Sequence, residues 1–425
     1  MDTRHRHARG GTLVLGGGFG GAYVARYLGA RGATIVSPDA SMLYTPLLAE
    51  VAAGSIEPRH CVVPLRMMCP DAELVLGRAV RVDAERRRVS VADERGWLEI
   101  GYERLVLALG AVTRVVPIEG LDRHALGLKT MGDAIRLRMH ALHQLDLAEA
   151  DPANAERHLT FVFVGAGYAG IEGLAELGDM VADALPSYPA LQGVRQRWVL
   201  IDGGSRVLQT APERLSRFAE EQLRARGTDM RLGARLAAVH ERGVTLSDGS
   251  HIDAGTVVWT AGVQAHPLVA RFGFPTDGGG RVKVDAFMRV AGTRDVFALG
   301  DCAAVPNAAT AGACDPPTCQ HALRQAKQLA ANFSGRPKPY RFHALGEVAT
   351  LGRAAGVADL AGLKLRGRPA ALITRAVHVR QLPLRSRRLR VFADGVLSMA
   401  FRRDMAQLGQ LDSSIHAAAV AAATA

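Results

Sequence analysis

The sequence lacks the features of a membrane-spanning or secreted chain. No apolar run approaches the roughly 20 residues that a helix needs to cross a bilayer. The N-terminal residues include Arg4, His5, Arg6, His7 and Arg9, in place of the apolar segment of a signal peptide. We therefore expect a protein of the cytoplasm, or one bound peripherally to the cytoplasmic side of the cell membrane.

Cysteine is scarce as well, and the cysteines show neither a CxxC pair nor the spacing of a metal site. They are Cys61, Cys69, Cys302, Cys314 and Cys319. The pattern indicates no metal centre, and the thiols of a cytoplasmic protein are expected to stay reduced. Cys314 and Cys319 flank the loop 315–318, either as a redox-active pair or as two unpaired thiols.

Acidic residues are rare near the C-terminus, where Asp394 and Asp404 alone oppose a long basic series over residues 364–404. This series contributes much of the formal net charge of +11 and consists of Lys364, Arg366, Arg368, Arg375, Arg380, Arg385, Arg387, Arg388, Arg390, Arg402 and Arg403. Such a stretch suits an anionic lipid surface or a nucleic acid, and it also occurs as a solvated face.

Glycine, by contrast, is abundant, and two Gly-rich loops carry the main signal. Their glycines are Gly16, Gly18 and Gly21 after the apolar run Thr12–Leu15, and Gly165, Gly167 and Gly170 after Leu159–Val164. In a loop that joins a strand to a helix, the first glycine permits a tight turn, the second lets the backbone approach a pyrophosphate, and the third lets helix and strand pack closely. The pyrophosphate lies on free N–H groups at the positive end of the helix. The duplication predicts two dinucleotides.

The order of the apolar and amphipathic segments predicts an α/β fold with two Rossmann-like domains. Strands are expected at Thr12–Leu15, Ala33–Val36, Tyr102–Leu109, Leu159–Val164, Trp198–Asp202, Thr256–Gly262 and Asp295–Leu299. Helices are expected at Gly21–Leu28, Met131–Leu147, Ile171–Ala184, Glu213–Arg226 and His321–Asn332. Short alternating segments at Leu74–Leu76, Ala79–Val82 and Arg88–Val91 indicate an antiparallel insertion.

An acid after the second strand of a dinucleotide fold accepts hydrogen bonds from the adenosine ribose. Asp202 ends the matching strand of the second domain and favours NAD, because its charge would repel the extra phosphate of NADP; the alternative is an ordinary strand-end Asp. In the first domain Ser37 stands at this point, and Asp39 lies two residues further on. The ribose contact there stays open between these two side chains.

Three further sites carry side chains suited to redox chemistry. Glu172 lies on the first turn after the second loop, where it either matches the positive helix end or relays protons between a nicotinamide and a flavin. Gly300 and Asp301 end an apolar strand, where the Asp can bind a ribityl hydroxyl or can simply belong to a turn. His321 is a proton relay or a structural residue on a helix face.

Together these motifs resemble the type II NADH dehydrogenases, single-subunit flavoproteins that pass electrons from NADH to a quinone, and more narrowly their actinobacterial NAD(P)/FAD-dependent oxidoreductase branch. The similarity runs from about Thr12 to Asp404. The segments that carry it are Gly16–Gly21, Tyr44–Leu48, Gly127–Thr130, Phe161–Glu172, Val258–Val263, Ala298–Cys302, Gln320–Ala322 and Ala349–Arg353.

The resemblance implies an FAD domain made of residues 1–118 and 281–345, an NADH domain at 119–280, and a basic, amphipathic, membrane-associating region at 346–425. It implies catalytic roles for Glu172, near the nicotinamide, and for Gln320, near the quinone ring. Cofactor contacts are then expected at the six loop glycines and at Phe19, Gly20, Ser37, Asp39, Thr45, Pro46, Ala108, Gly110, Tyr168, Ala169, Asp202, Ala261, Gly262, Gly300, Asp301, Gln320 and His321.

The implied activity is hydride transfer from NADH to FAD, followed by transfer of two electrons to menaquinone or ubiquinone, without proton pumping. The implied partner is a membrane surface and not a nucleic acid, and the protein can be a homodimer. Three residues depart from the family pattern: Ser37 replaces an acid, Cys319 an alanine, and Ala355 a common lysine.

Two alternative functions stay open. One is a sulfide:quinone oxidoreductase, which needs a cysteine beside the flavin, although no cysteine occurs from Pro70 to Asp301. The other is a non-catalytic, NADH-sensing flavoprotein whose basic tail binds a partner.

Overall fold

The computed structural model describes residues 3–343, 346–360 and 362–407 of the chain. The chain divides into two compact units, each assembled from separate segments. The first unit comprises Met1–Tyr44, Val62–Arg114 and Val263–Leu345, and the second comprises Thr45–Cys61, Val115–Gly262 and Gly346–Ala425. The end of the predicted C-terminal region, from residue 408 onward, lies outside the described residues.

A five-stranded parallel sheet forms the centre of the first unit. Its strands, in spatial order, are Val296–Ala298, Arg104–Leu107, Thr12–Leu15, Thr34–Ser37 and Glu73–Leu76. Thr12–Leu15 is central and buried along its whole length, as expected of an apolar strand that is covered on both faces. The helices Phe19–Leu28 and Cys319–Asn332 pack against each other. Both helices start near carboxyl ends of these strands, where α/β folds bind ligands.

The prediction of an antiparallel insertion is confirmed for two segments and wrong for Leu74–Leu76. Glu73–Leu76 pairs in parallel with Thr34–Ser37 and is an edge strand of the central sheet. Its alternating pattern arises because an edge strand is only partly covered. The second sheet of this unit consists of Arg78–Asp83, Arg88–Asp93 and Gly96–Gly101 in antiparallel order, with Arg4–His7 added in parallel.

Shorter elements complete the first unit. Ser41–Leu43 pairs with Val62–Pro64, Ala111–Thr113 with Val263–Ala265, and Val282–Lys283 with Ala303–Ala304. The remaining short helices are Leu65–Met68 and Leu268–Arg271.

The second unit repeats the parallel five-stranded plan. Its strands, in spatial order, are Leu126–Gly127, Thr256–Trp259, Thr160–Val164, Arg197–Asp202 and Asp229–Leu232. A three-stranded antiparallel sheet, Leu236–His240, Gly243–Leu246 and His251–Asp253, shares a buried apolar core with it. A second such sheet consists of Gly346–Thr350, Gly356–Leu360 and Leu363–Arg366.

The helices of the second unit are Leu48–Ala52, Leu121–His124, Met131–Ala150, Ala155–His158, Tyr168–Ala184, Glu213–Ala225, Arg368–Gln381 and Arg385–Ala400. The start of Met131–Ala150 is fixed by a capping box, in which Thr130 and Asp133 exchange side chain-to-backbone hydrogen bonds. The predicted helices are all present. Phe19–Leu28 and Tyr168–Ala184 begin two and three residues earlier than expected, because the last glycine of each loop lies inside the first turn. No helix among the described residues is long and apolar enough to span a bilayer.

Candidate functional site

The first Gly-rich loop has the geometry of a phosphate cradle. Gly16 has a φ of 110°, and a Cβ atom there would lie 2.2 Å from the Ala108 carbonyl oxygen. A Cβ at Gly21 would lie 2.0 Å from the Gly16 carbonyl oxygen, whereas one at Gly18 would meet nothing within 4 Å. Gly18 is the N-cap of the helix and has no side chain to satisfy the first N–H groups. The loop is therefore closed by two glycines and leaves its N–H groups available to an anion.

The second loop repeats this geometry. Gly165 has a φ of 112°, and its Cβ would lie 2.9 Å from the Ala261 Cα. A Cβ at Gly170 would lie 1.8 Å from the Gly165 carbonyl oxygen, and again the middle glycine, Gly167, faces open space. Gly167 is the N-cap of Tyr168–Ala184. The structure thus forms two separate anion cradles, one in each unit.

Asp202 is tied to the second cradle. Its Oδ2 accepts a hydrogen bond from the Ala166 N–H at 2.7 Å, and its Oδ1 accepts one from the Gly204 N–H at 2.7 Å. The Gln209 amide donates to the same Oδ1 at 3.2 Å. The carboxylate has lone pairs left for further donors, because each of its oxygens accepts more than one hydrogen bond. Asp202 therefore orients the loop and keeps a negative charge beside it.

Ser37 occupies the equivalent place in the first unit. Its side chain is buried, and its Oγ accepts a hydrogen bond from the Asp39 N–H at 3.3 Å. A Cβ on Gly17 would lie 2.7 Å from the Ser37 Oγ, so the serine packs against the loop. Asp39 itself is exposed to solvent. The first cradle accordingly has a buried hydroxyl where the second has a carboxylate.

Other predicted cofactor contacts gather around these cradles. A Cβ on Gly20 would lie 2.7 Å from the Leu299 Cδ1 and 3.5 Å from the Ala108 Cβ, which brings the first loop next to the residue before Gly300. Gly110 and Gly262 follow strands, have φ values of 70° and 96°, and face open space.

The remaining predicted contacts are distributed over both units. The ring of Phe19 packs on Tyr44 with centroids 5.5 Å apart. The Tyr168 hydroxyl donates to the Glu347 carboxylate, and burial, followed by this acceptor, raises the pKa of Tyr168. Ala169 is exposed on the first turn of the same helix. Thr45 and Pro46 form a 3-10 turn in the second unit.

Gly300 and Asp301 form a turn directly after the edge strand Val296–Ala298 of the first unit. Gly300 has a φ of 71°, a left-handed conformation that glycine adopts without strain. Its N–H donates to the Gln325 Oε1 at 2.8 Å. Gln320 and His321 lie in the first turn of Cys319–Asn332, whose N-cap is Thr318.

Glu172 lies in an unusual group of acids in the second unit. It follows the second cradle, its Oε1 accepts a hydrogen bond from the Thr350 N–H at 3.0 Å, and Glu176 lies one turn further along the helix. Glu50 and Glu176 are buried, with 4% and 0% of their surface exposed. Desolvation, followed by the charge of Glu50, raises the pKa of Glu172 well above its ordinary value. Glu172 therefore keeps its proton more tightly than an ordinary glutamate, despite its place near the positive helix end.

Four acids form a stripe on one face of Tyr168–Ala184, at the helical spacing i, i+4, i+7 and i+11. They are Glu172, Glu176, Asp179 and Asp183. Arginines from residues 346–407 contact this acid stripe. Arg403 binds Glu176, with 1% and 0% of the two side chains exposed, Arg375 lies 3.7 Å from Glu176, and Arg353 lies 2.7 Å from Asp183.

Glu50→Gln is expected to reduce the dependence of stability on pH. Burial, followed by the charge of Glu176, raises the pKa of Glu50 from 4.5 to about 8. Between these values the folded protein holds a proton that the unfolded chain has lost, so the stability of the wild type falls as pH rises through this window. Thermal unfolding at pH 5 and pH 8 should show that the stability of the variant, relative to the wild type, is greater at pH 8 than at pH 5.

Glu57→Gln is the matched control, because Glu57 belongs to the same segment but is 39% exposed and paired with Arg59. It should show no gain that depends on pH. A constant difference between Glu50→Gln and the wild type at every pH would contradict a buried, protonated Glu50.

Sequence reasoning identified Glu172 but missed Glu50, Glu176 and Asp315. Glu176 could have been found, because the spacing of the acid stripe is visible in the sequence. Glu50 carried no such signal, since its partners are brought together only by packing of Leu48–Ala52 on Tyr168–Ala184.

Comparisons with known proteins agree with this geometry. The family model for pyridine nucleotide-disulphide oxidoreductases matches residues 11–326. The demethylphylloquinone reductase NdbB of Synechocystis sp. is 30% identical over 395 residues, which covers 88% of this chain and 93% of that relative. The type II NADH:quinone oxidoreductase Ndh of Mycobacterium tuberculosis is 28% identical over 404 residues, covering 89% and 84%. NDH2 from Plasmodium falciparum, solved in complex with NADH, has the same fold, with a TM-score of 0.86 at 19% identity over 93% of this chain and 99% of that one.

Two anion cradles on two parallel sheets define an oxidoreductase fold of the kind that binds two dinucleotides. The chain belongs to the pyridine nucleotide-disulphide oxidoreductase family and, within it, to the type II NADH dehydrogenases. The resemblance drawn from the motifs is confirmed, and so is the predicted α/β fold.

Proposed function

We propose that this protein is an enzyme that transfers two electrons from NADH, through bound FAD, to a membrane quinone without pumping protons. The duplicated cradle is the observation that carries the proposal, because one pyrophosphate fits each unit. The relatives that are named quinone reductases support the acceptor.

The first unit has the residues that FAD requires. Gly18 leaves the helix N-terminus open to a pyrophosphate, and Gly300-Asp301 presents a carboxylate beside the same sheet. Ser37 would bind the adenosine ribose with its hydroxyl, in place of the acid used elsewhere in the family. When bound, FAD accepts a hydride and releases electrons, chemistry that no side chain of the protein supplies.

The second unit has the residues that NADH requires. The open cradle at Gly167 would bind its pyrophosphate, and Asp202 would accept a hydrogen bond from the adenosine ribose. Burial raises the pKa of Glu172 above its ordinary value and that of Glu50 to about 8, which suits both side chains to move a proton at their carboxyl oxygens. We assign Gln320 to orient the quinone ring through its amide.

The half-reactions can be separated by anaerobic stopped-flow spectroscopy of the purified protein. We expect NADH to bleach the flavin absorbance, and a short-chain ubiquinone or menaquinone to restore it faster than free flavin is reoxidised. A flavin that NADH does not bleach would contradict the proposal and favour a sensing protein. Bleaching without recovery by either quinone would contradict only the acceptor.

Asp202→Asn is expected to shift the nucleotide preference towards NADPH. Two like charges about 4 Å apart repel by a few kcal/mol near a protein surface, so removing one should change the NADPH-to-NADH ratio of kcat/KM at least about tenfold. The amide oxygen of Asn can still accept one of the two loop hydrogen bonds, whereas its NH2 group cannot accept the other. Asp122→Asn, at a 73% exposed position in the same unit, is the control. Equal ratios in the two variants would exclude Asp202 from nucleotide selection.

We further propose that Arg385–Ala400 docks on the membrane. Exposed apolar side chains Leu389, Phe392 and Val396 recur on this helix at a helical spacing, beside a basic first turn. The double variant Leu389→Ser, Phe392→Ser should bind phosphatidylglycerol vesicles at least about tenfold less tightly in co-sedimentation, since each buried apolar side chain contributes about 1.5–3 kcal/mol.

The control for this test is Met67→Ser, which removes a 61% exposed apolar side chain from the first unit. It should leave vesicle binding unchanged. If the double variant and the control bind equally well, Arg385–Ala400 is not the docking helix.

A further inference from the structure

A buried carboxylate lies behind the turn at Gly300 in the first unit. Asp315 is only 6% exposed and precedes the helix Cys319–Asn332. Its Oδ1 accepts a hydrogen bond from the Asn307 amide at 2.9 Å, and its Oδ2 accepts one from the Gln325 amide at 3.0 Å. Both oxygens are therefore held in place by neutral donors.

Asp315 faces the imidazole of His321. The His321 Nε2 lies 3.7 Å from the Asp315 Oδ1, and its Nδ1 lies 2.7 Å from the Thr318 Oγ. The ring also packs edge-on against Phe342, with centroids 5.7 Å apart. The ring is thus held by a hydrogen bond at Nδ1, and the opposite charge of Asp315 within about 4–6 Å of Nε2 favours its protonated form.

The pair is connected to the FAD motif. Gln325 donates to Asp315 and accepts from the Gly300 N–H at 2.8 Å, so one side chain joins the carboxylate to the turn. Asp301, Asp315 and His321 line the same small cavity. A change of charge beside the Gly300 turn would therefore be felt by His321, whose side chain is only 12% exposed.

We propose that His321 is a redox-linked proton site, which takes up one proton as two electrons arrive at the cofactor beside Gly300-Asp301, with Asp315 as its positioning residue. The inference rests on the proposed function. The overall reaction, NADH plus quinone plus one proton gives NAD⁺ plus quinol, needs a proton beyond the one carried in the hydride. His321 holds that proton at Nε2 after taking it from solvent, and releases it when the quinone is reduced.

Several charged and titratable groups surround His321. Arg281 is paired with the Asp277 carboxylate at 2.9 Å, and it also donates to the Asp315 carbonyl oxygen at 3.1 Å. Burial, followed by Asp315, raises the pKa of Tyr340, which keeps this phenol neutral. Among the described residues these groups include Asp315, Asp301 and Cys319 as acids, Arg281 and Arg324 as cations, and Tyr340. The Asp315 carboxylate lies within ion-pair distance of the imidazole.

The flavin midpoint potential, measured against pH, tests this linkage. Uptake of an additional proton on reduction should steepen the slope of potential against pH by about 30 mV per pH unit. For a two-electron couple this corresponds to a tenfold change in the equilibrium constant per pH unit. The steep region should lie between the titration midpoints of His321 in the oxidised and reduced protein. Imidazole ¹⁵N NMR of both forms measures these midpoints directly, without turnover.

His321→Gln should abolish the additional slope, and Asp315→Asn should lower the proton affinity of His321 at least about tenfold. His5→Gln is the control, because His5 is an exposed histidine on the other sheet of the same unit. It should keep the wild-type slope. If Asp315→Asn does not fold, His321→Gln and the NMR midpoints of the wild type decide the outcome.

Different failures have different meanings. A protein that binds no FAD, or is not reduced by NADH, overturns the proposed function and this inference together. A protein that NADH reduces, but whose potential has the same slope in the wild type and in His321→Gln, overturns the inference alone. An unchanged His321 midpoint in Asp315→Asn would mean that Asp315 only anchors the loop.

Discussion

Gly170→Ala is expected to lower kcat/KM for NADH by about 100-fold or more and to destabilise the second unit. Helix propensity alone would predict a gain of about 1 kcal/mol, because alanine is the better helix former. The new Cβ would, however, lie 1.8 Å from the Gly165 carbonyl oxygen, so the helix or the loop must move. Overpacking of this kind costs about 1–3 kcal/mol or more, and a shift of about 1 Å at a reacting site can cost 100-fold.

Gly132→Ala is the matched control in the same unit. Gly132 also lies in a helix, but a Cβ there would be 3.7 Å from its nearest neighbour, the Thr130 Oγ. This variant should keep full activity, and its free energy of unfolding should rise by up to about 1 kcal/mol. Steady-state kinetics and thermal unfolding of both proteins measure the contrast. Wild-type kinetics in Gly170→Ala would mean that the second cradle does not bind the nucleotide.

Arg403→Met is expected to destabilise the protein by about 3–5 kcal/mol, the usual cost of removing one partner of a buried ion pair, because only the more distant Arg375, 3.7 Å away, then remains to balance the charge of Glu176. The two side chains, Arg403 and Glu176, are 1% and 0% exposed. Arg403 also donates to the Glu176 carbonyl oxygen, so its loss leaves a second buried acceptor with one partner fewer. Urea denaturation monitored by circular dichroism gives the free energy of unfolding.

Two further variants separate the ion pair from general effects. Arg402→Met changes an exposed neighbour and should shift stability by less than about 0.5 kcal/mol. The double variant Glu176→Gln, Arg403→Met also removes the buried charge of Glu176, and it should recover part of the stability lost in Arg403→Met. A double variant no more stable than Arg403→Met would show that the charge of Glu176 is not the source of the cost.

Much of this architecture could be predicted from the sequence, because its signals are local. The two loops were placed correctly, since a glycine pattern after an apolar strand fixes both the turn and the helix that follows. Asp202 ends its strand as the apolar pattern predicted, and its contact with a nucleotide stays a prediction. The edge strand at Glu73–Leu76 was misassigned because its pairing partner, Thr34–Ser37, lies far away in the sequence and periodicity does not reveal it.

The proton-holding groups could not be predicted in the same way. Glu50 is an ordinary glutamate until packing removes its water and places it near Glu176, so its raised pKa is a property of the folded state. Asp315 likewise becomes a partner of His321 only when the loop before Cys319–Asn332 folds back on the helix.

The acid stripe on Tyr168–Ala184 has a consequence for recombining this protein with its relatives. The 17-residue helix that begins at the second cradle forms ion pairs, further along, with arginines of residues 346–407. One helix therefore contacts both the nucleotide loop and the tail. A tail taken from a relative would leave carboxylates of the acid stripe without their arginine partners unless it carried arginines at matching positions. Functional chimeras should therefore exchange the helix and the tail together, and the useful crossover points lie before Thr160–Val164, not at the start of Gly346–Thr350.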